Sequence, residues 1–158
     1  MSSAIIQIVI GISILTNAII YGIDVFGGVI MKSVLAKLDD ATMTSVAGWG
    51  HYFGDRRLPV AGITGLVSAV VASVISLITA HYAAAVATLV ATIALVLWLG
   101  LYATAAKPIN TLQKAAALGG TLPDDARELQ TRWDSLLPAR ISLQTTALVA
   151  LVVAVALA

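Results

Sequence analysis

Polar and apolar positions along this chain fall into long blocks instead of alternating. Residues 1–31 carry one acidic residue, Asp24, and no Lys or Arg, while 58–106 and 141–158 carry no Asp, Glu, Lys or Arg at all. A bilayer core is crossed by about 20 residues of helix. The first and last blocks therefore hold one span each, and the middle block, about twice that length, holds two. The predicted spans are 4–31, 59–79, 83–105 and 141–158, with a fold-back at Thr79-Ala80-His81-Tyr82, the most polar point of the middle block. The expected fold class is all-α: an integral membrane four-helix bundle, one domain over 1–158. The ~10-residue alternating segments of a membrane barrel are not visible. The N-terminal stretch has no basic n-region and outruns the usual signal-peptide h-region, so it reads as a retained span.

Two polar segments, 32–58 and 106–140, join the spans. In the first, Asp40 is a candidate N-cap, and Met43, Val46, Ala47 and Phe53 recur at helical spacing. This predicts a short amphipathic helix on the membrane surface, ending at Gly54-Asp55 before Pro59 opens the second span. In the second, Lys107-Pro108 starts a helix that stops at Gly119-Gly120. Thr121 and Asp124 have the spacing of an acidic capping box for another short helix, which Pro138 ends or kinks before the last span.

Charge then sets the orientation. All nine Lys and Arg residues lie in these two segments. Cytoplasmic loops carry the excess of Lys and Arg, so both segments are expected in the cytoplasm and both termini outside it. The chain is 59% hydrophobic and 11% charged, against about 25% charged in a soluble domain, which excludes an ordinary globule and a disordered chain. A net charge of +1 offers no footprint for nucleic acid. The absence of cysteine removes disulfides, Cys-zinc sites, iron–sulfur clusters and thiol catalysis.

Candidate chemistry begins on the first span, where Ser13, Asn17, Tyr21, Asp24 and Gly28 share one stripe. Ionisable residues inside spans usually face the bundle interior or a watery cavity. Asp24 is the only acidic residue inside a predicted span, and it reads either as the centre of a polar pocket or as half of an ion pair. Arg140 is the first candidate partner and Arg57 the second. Asn17 and Tyr21 either orient a substrate or hydrogen-bond between helices. Trp98 and Tyr102 read as interfacial aromatics. His51 and His81 fall on opposite faces, about 30 Å apart, so they cannot share a metal ion and no metal site is expected. His51, beside Tyr52, Arg56 and Arg57, is a candidate acid–base group; His81 is read as a turn residue.

The run Lys107-Pro108-Ile109-Asn110, followed by Arg132-Trp133 and by Arg140 at the head of the final apolar span, resembles the family of small four-helix membrane proteins that includes the fungal anthrone oxygenases. Trp49-Gly50-His51-Tyr52-Phe53-Gly54-Asp55-Arg56-Arg57-Leu58-Pro59 is similar to that family's aromatic, Gly and Pro pattern after its first helix. The chain departs from it at Leu137-Pro138, where relatives usually carry a His or Asn between the Trp and the Arg. The resemblance implies a bacterial inner-membrane protein that oxidises an aromatic or polyketide-like carbon with molecular oxygen. Such a reaction needs no bound cofactor when the substrate forms a readily oxidised carbanion. His51 or Asp24 would be the base, Asn110 and Arg140 would stabilise the oxyanion, and Trp133 would line the cavity. The competing expectation is an accessory subunit packed against heterologous membrane subunits, or a homo-oligomer, within the lipid bilayer.

Overall fold

The computed structural model describes residues 2–158. Four long helices carry the chain: α1 (Ser3–Leu35), α2 (Asp40–Ile78), α3 (Tyr82–Gly119) and α4 (Ala126–Leu157). Each is long and apolar enough to cross a membrane. They pack as an antiparallel ring, α1 against α2 and α4, and α3 against α2 and α4. The shared core at the end bearing the chain termini is built from Ile6, Ile10, Ala69, Ala72, Ala91, Ala94, Leu95, Ala147, Leu151 and Ala154. Alanine at most of these positions lets helices approach closely where lipid supplies no hydrophobic drive between them. The outward faces are the reverse of a soluble protein's: Leu15 is 71% exposed and Val60 71%. Apolar surface on this scale is compatible with contact to lipid or to other apolar protein surfaces.

The helices run far past a bilayer core. α2 has 39 residues, about 58 Å at 1.5 Å per residue, against a core of about 30 Å. The polar segments are therefore mostly continuations of the spanning helices. The expected short surface helix before Pro59 and the break at Gly54-Asp55 are absent, and α2 passes through Pro59 unbroken. α4 likewise passes through Pro138. Ending a helix exposes several unpaired backbone groups, whereas one proline removes a single hydrogen bond, so an apolar setting favours continuation. α3 reaches Pro108 through a wide π turn at Tyr102–Ala106, a local loosening that accommodates a ring without an amide hydrogen. A second π turn, Gly27–Met31, interrupts α1.

The helix ends show further departures. Asp39, not Asp40, caps α2, its Oδ1 accepting from the Thr42 amide at 2.9 Å. That amide and the Thr42 hydroxyl hold the Asp39 carboxyl below the usual carboxylate range. Asp40 instead pairs with Arg127, whose guanidinium also donates to the Leu35 and Leu38 carbonyls and so satisfies the end of α1. The Thr121–Asp124 box does not form, because α4 begins later, at Ala126, with no side-chain cap. α3 does stop at Gly119-Gly120, where Gly120 takes φ +65°. At the opposite end the turn falls at Thr79–His81, with Ala80 at φ 60° and the His81 amide bonded back to the Ser76 carbonyl at 2.8 Å.

Candidate functional site

The inward stripe of α1 is set by helical periodicity. Ser13, Asn17 and Asp24 are at most 2% exposed. With about 100° per residue, Tyr21 projects to one side of the line through Asn17 and Asp24, and Ile20 is buried there instead. Ser13 donates to the Gly65 carbonyl at 2.8 Å. Asn17 donates back to the Ser13 carbonyl at 2.9 Å. A Cβ at Gly65 would collide with the Asn17 amide.

Asp24 meets Arg140 of α4 in a two-pronged ion pair. Arg140 Nη2 lies 2.6 Å from Asp24 Oδ1, and Nε lies 3.2 Å from Oδ2. Trp98 of α3 donates its indole N–H to Asp24 Oδ2 at 3.1 Å. The Arg140 guanidinium carbon sits 5.3 Å from the Trp98 ring and 5.5 Å from the Trp133 ring, within reach of a cation–π attraction. Arg57, the second candidate partner, lies 4.9 Å from the Phe53 ring. Such planar pairing of Asp24 with Arg140 fixes the guanidinium in direction as well as position.

A second polar cluster lies toward the basic end. Asp55 of α2 accepts from Tyr102 at 2.8 Å, from Asn110 at 3.2 Å and from Lys114 at 2.5 Å. Burial works against its ionisation, but these three donors outweigh it and hold the carboxyl below the usual range. Asn110 accepts from the Trp133 indole at 2.9 Å. The chain Asp55–Asn110–Trp133 thereby sets the plane of the indole that flanks Arg140. His51, one turn before Asp55, lies with its ring 5.3 Å from Trp133. It belongs to the part of α2 that precedes the charge-free span. Burial outweighs the nearby Asp55 carboxylate and pushes its pKa down to about 4, so the imidazole is neutral at pH 7.

These groups border one cavity of about 560 Å³ between the helices. Asn17, Asp24, His51, Asn110, Trp133 and Arg140 all line it. Tyr21 is outside the lining, and His81 is at the opposite end of the bundle, bonded to Ser3 and Thr79. Most of the wall is apolar. Among the described residues no group of three or more His, Cys, Asp or Glu is placed to hold a metal ion. The arrangement offers a neutral imidazole and an oriented guanidinium beside aromatic rings.

Several participants escape a residue-by-residue reading. Trp98 and Tyr102 are one turn apart and both turn inward to carboxylates. On α4, Trp133, Leu137, Arg140 and Gln144 recur at spacings of four, three and four, the same inward stripe that α1 displays, and this signal was available in the sequence. Lys114 carried no such signal. Comparison of the chain with family models, with curated proteins and with solved structures finds no match.

Proposed function

We propose that this protein is a membrane-embedded oxidoreductase of the anthrone oxygenase type, which converts an activated aromatic methylene to a carbonyl with molecular oxygen. The observation that carries the reading is the meeting of His51, Arg140 and Trp133 at one apolar-walled cavity. In the reaction, His51 takes a proton from the methylene carbon and leaves a carbanion whose charge spreads to the enolate oxygen. Arginine has five N–H donors. Asp24 engages two groups of Arg140, Nε and Nη2, so the rest of the fork remains for the enolate oxygen. Asp24 thus serves to aim Arg140, which leaves His51 as the base. Asn110, whose amide is engaged by Asp55 and Trp133, is a positioning residue for the indole.

The carbanion then reduces oxygen. In balance, the methylene and one molecule of dioxygen give the carbonyl and one molecule of water. The carbon loses four electrons, one oxygen atom becomes the carbonyl and the other leaves as water with the two methylene hydrogens. His51 returns its proton to the departing oxygen. The proposed location is a bacterial inner membrane, and the sidedness of the basic residues supports an orientation with the site toward the cytoplasm. The test is oxygen uptake by the purified protein in nanodiscs supplied with anthrone. The expected result is uptake well above empty nanodiscs, reduced ~100-fold or more in His51→Ala, the usual scale for losing a general base. Equal background oxidation by wild type and His51→Ala would overturn the proposal.

A further inference from the structure

Behind His51 runs a hydrogen-bonded chain of three side chains that the proposed reaction leaves unused. His51 stands on the face of α2 that packs against α3. One turn before it, a Cβ at Gly48 would meet the Gln113 carbonyl, and one turn after it, Asp55 meets Asn110 and Lys114. Gln113 therefore lies across from the imidazole. Its Nε2 donates to Gln130 Oε1 of α4 at 2.9 Å. Gln130 Nε2 in turn donates to Asp134 Oδ1, one turn further along α4, also at 2.9 Å. Gln113 and Gln130 are 2% and 5% exposed, so both amides must find their partners inside the protein.

The chemistry at the far end gives this chain its direction. A carboxylate only accepts hydrogen bonds, whereas an amide donates on one side and accepts on the other. Asp134 thus turns the Gln130 NH2 toward itself, Gln130 presents its carbonyl to Gln113, and Gln113 points its own carbonyl away from Gln130. Burial raises the Asp134 carboxyl from its ordinary value, while the Gln130 amide and Lys32 favour the ionised form. Gln113 Oε1 is buried without a full hydrogen bond, a costly state for an acceptor. It stands against the His51 ring and favours that ring's charged form. The other acceptor near the ring, Asp55, is engaged at both oxygens, by Tyr102 and Asn110 on Oδ1 and by Lys114 on Oδ2. A neutral imidazole carries one N–H and one lone pair, and only the N–H suits a carbonyl.

We infer that Gln113, Gln130 and Asp134 are positioning residues that fix the tautomer of His51, keeping the hydrogen on the ring nitrogen that faces Gln113 and the lone pair on the other. That His51 spends this lone pair as a base rests on the function proposed above; the tautomer does not. In that reaction the substrate's proton lands on the second nitrogen, and the imidazolium keeps its first N–H on Gln113. The test is 15N spectroscopy of the protein in nanodiscs, labelled at the histidine ring nitrogens, with free histidine as the reference. His81→Gln, at the opposite end of the bundle, leaves His51 as the one signal. Spectra are taken at about pH 8, where carboxyls are ionised and His51 is neutral. The tautomer ratio of His51 is expected to differ from that of free histidine by about tenfold, the scale of one hydrogen bond. Gln113→Leu, or Gln113→Met as a second variant, returns it to the free ratio. Asp134→Asn does the same, because an amide there can donate or accept, and Asp134→Glu, which keeps the carboxylate, retains the preference. The free-histidine ratio in the parent protein, or a preference that survives in the folded Gln113 variants, overturns the inference; one that survives in Asp134→Asn overturns the chain behind Gln113. No substrate or turnover is involved, so a failed oxygen-uptake assay leaves this result standing. Oxygen uptake by a protein with the free ratio would defeat the tautomer device alone.

Discussion

At the scale of single residues, the pair Asp24–Arg140 dominates. Both side chains are buried, at 2% and 8% exposure, and each makes the other tolerable. Arg140→Met leaves a buried carboxylate without a counter-charge, at a cost of about 3–5 kcal/mol. The double variant Asp24→Leu with Arg140→Met removes both charges and recovers most of that loss, which thermal unfolding in detergent measures. His51 gives a pH signature. Its pKa falls from 6.5 to about 4 on folding, so the unfolded chain takes up the proton first. Stability is then full above about pH 6.5 and declines as the pH falls toward 4. His51→Gln flattens that part of a melting-temperature profile against pH. The ion pair was legible in the sequence because a lone acid in an apolar span needs a partner, and Arg140 stood at the head of another span. The tasks of Asn110 and Trp98 were not, since an amide or an indole can serve many neighbours and only the packed helices choose one.

At the scale of the helices, small residues set the spacing. A Cβ at Gly48 would run into the Gln113 carbonyl and the Ala117 side chain of α3. Backbone cannot step aside cheaply, so Gly48→Ala destabilises by about 1–3 kcal/mol, the range of an overpacked core, as read from unfolding in detergent. Gly65→Ala meets the flexible Asn17 amide instead, and Asn17→Ala in the same chain relieves it. Ala80, at φ 60°, occupies the left-handed position that glycine fills at helix ends. Ala80→Gly is expected to raise stability by about 1 kcal/mol, seen as a higher unfolding midpoint. The element boundaries show why patterns of charge and periodicity reach only so far. The turn near His81 and the stop at Gly120 were marked by polarity and by glycine. The continuity of α2 through Pro59 and of α4 through Pro138 was not, because proline reads as a stop when backbone groups have water to turn to. Here, continuing the helix keeps them paired.

For the whole molecule, the basic residues gather at one end, and the turn at the other end has none. A cysteine introduced at Ala80 should react with an impermeant maleimide added outside intact cells, and one at Gly120 only after permeabilisation; the reverse pattern would invert the proposed orientation. The four helices, their order and the ends they share were legible because charge-free blocks of fixed length are hard to place anywhere but across a bilayer. The cavity was not, since its walls come from helices far apart in the chain. The central claim is that this cavity draws a proton from the methylene carbon of a bound substrate, with His51 as the base and Arg140 beside the carbanion. Its most direct test is anaerobic incubation of anthrone with the protein in nanodiscs in deuterated buffer, following deuterium uptake at the methylene carbon. Exchange well above empty nanodiscs in wild type, lost in His51→Ala and weakened in Arg140→Met, is the predicted result. No exchange above empty nanodiscs in wild type, or the same rate in His51→Ala, would contradict the account.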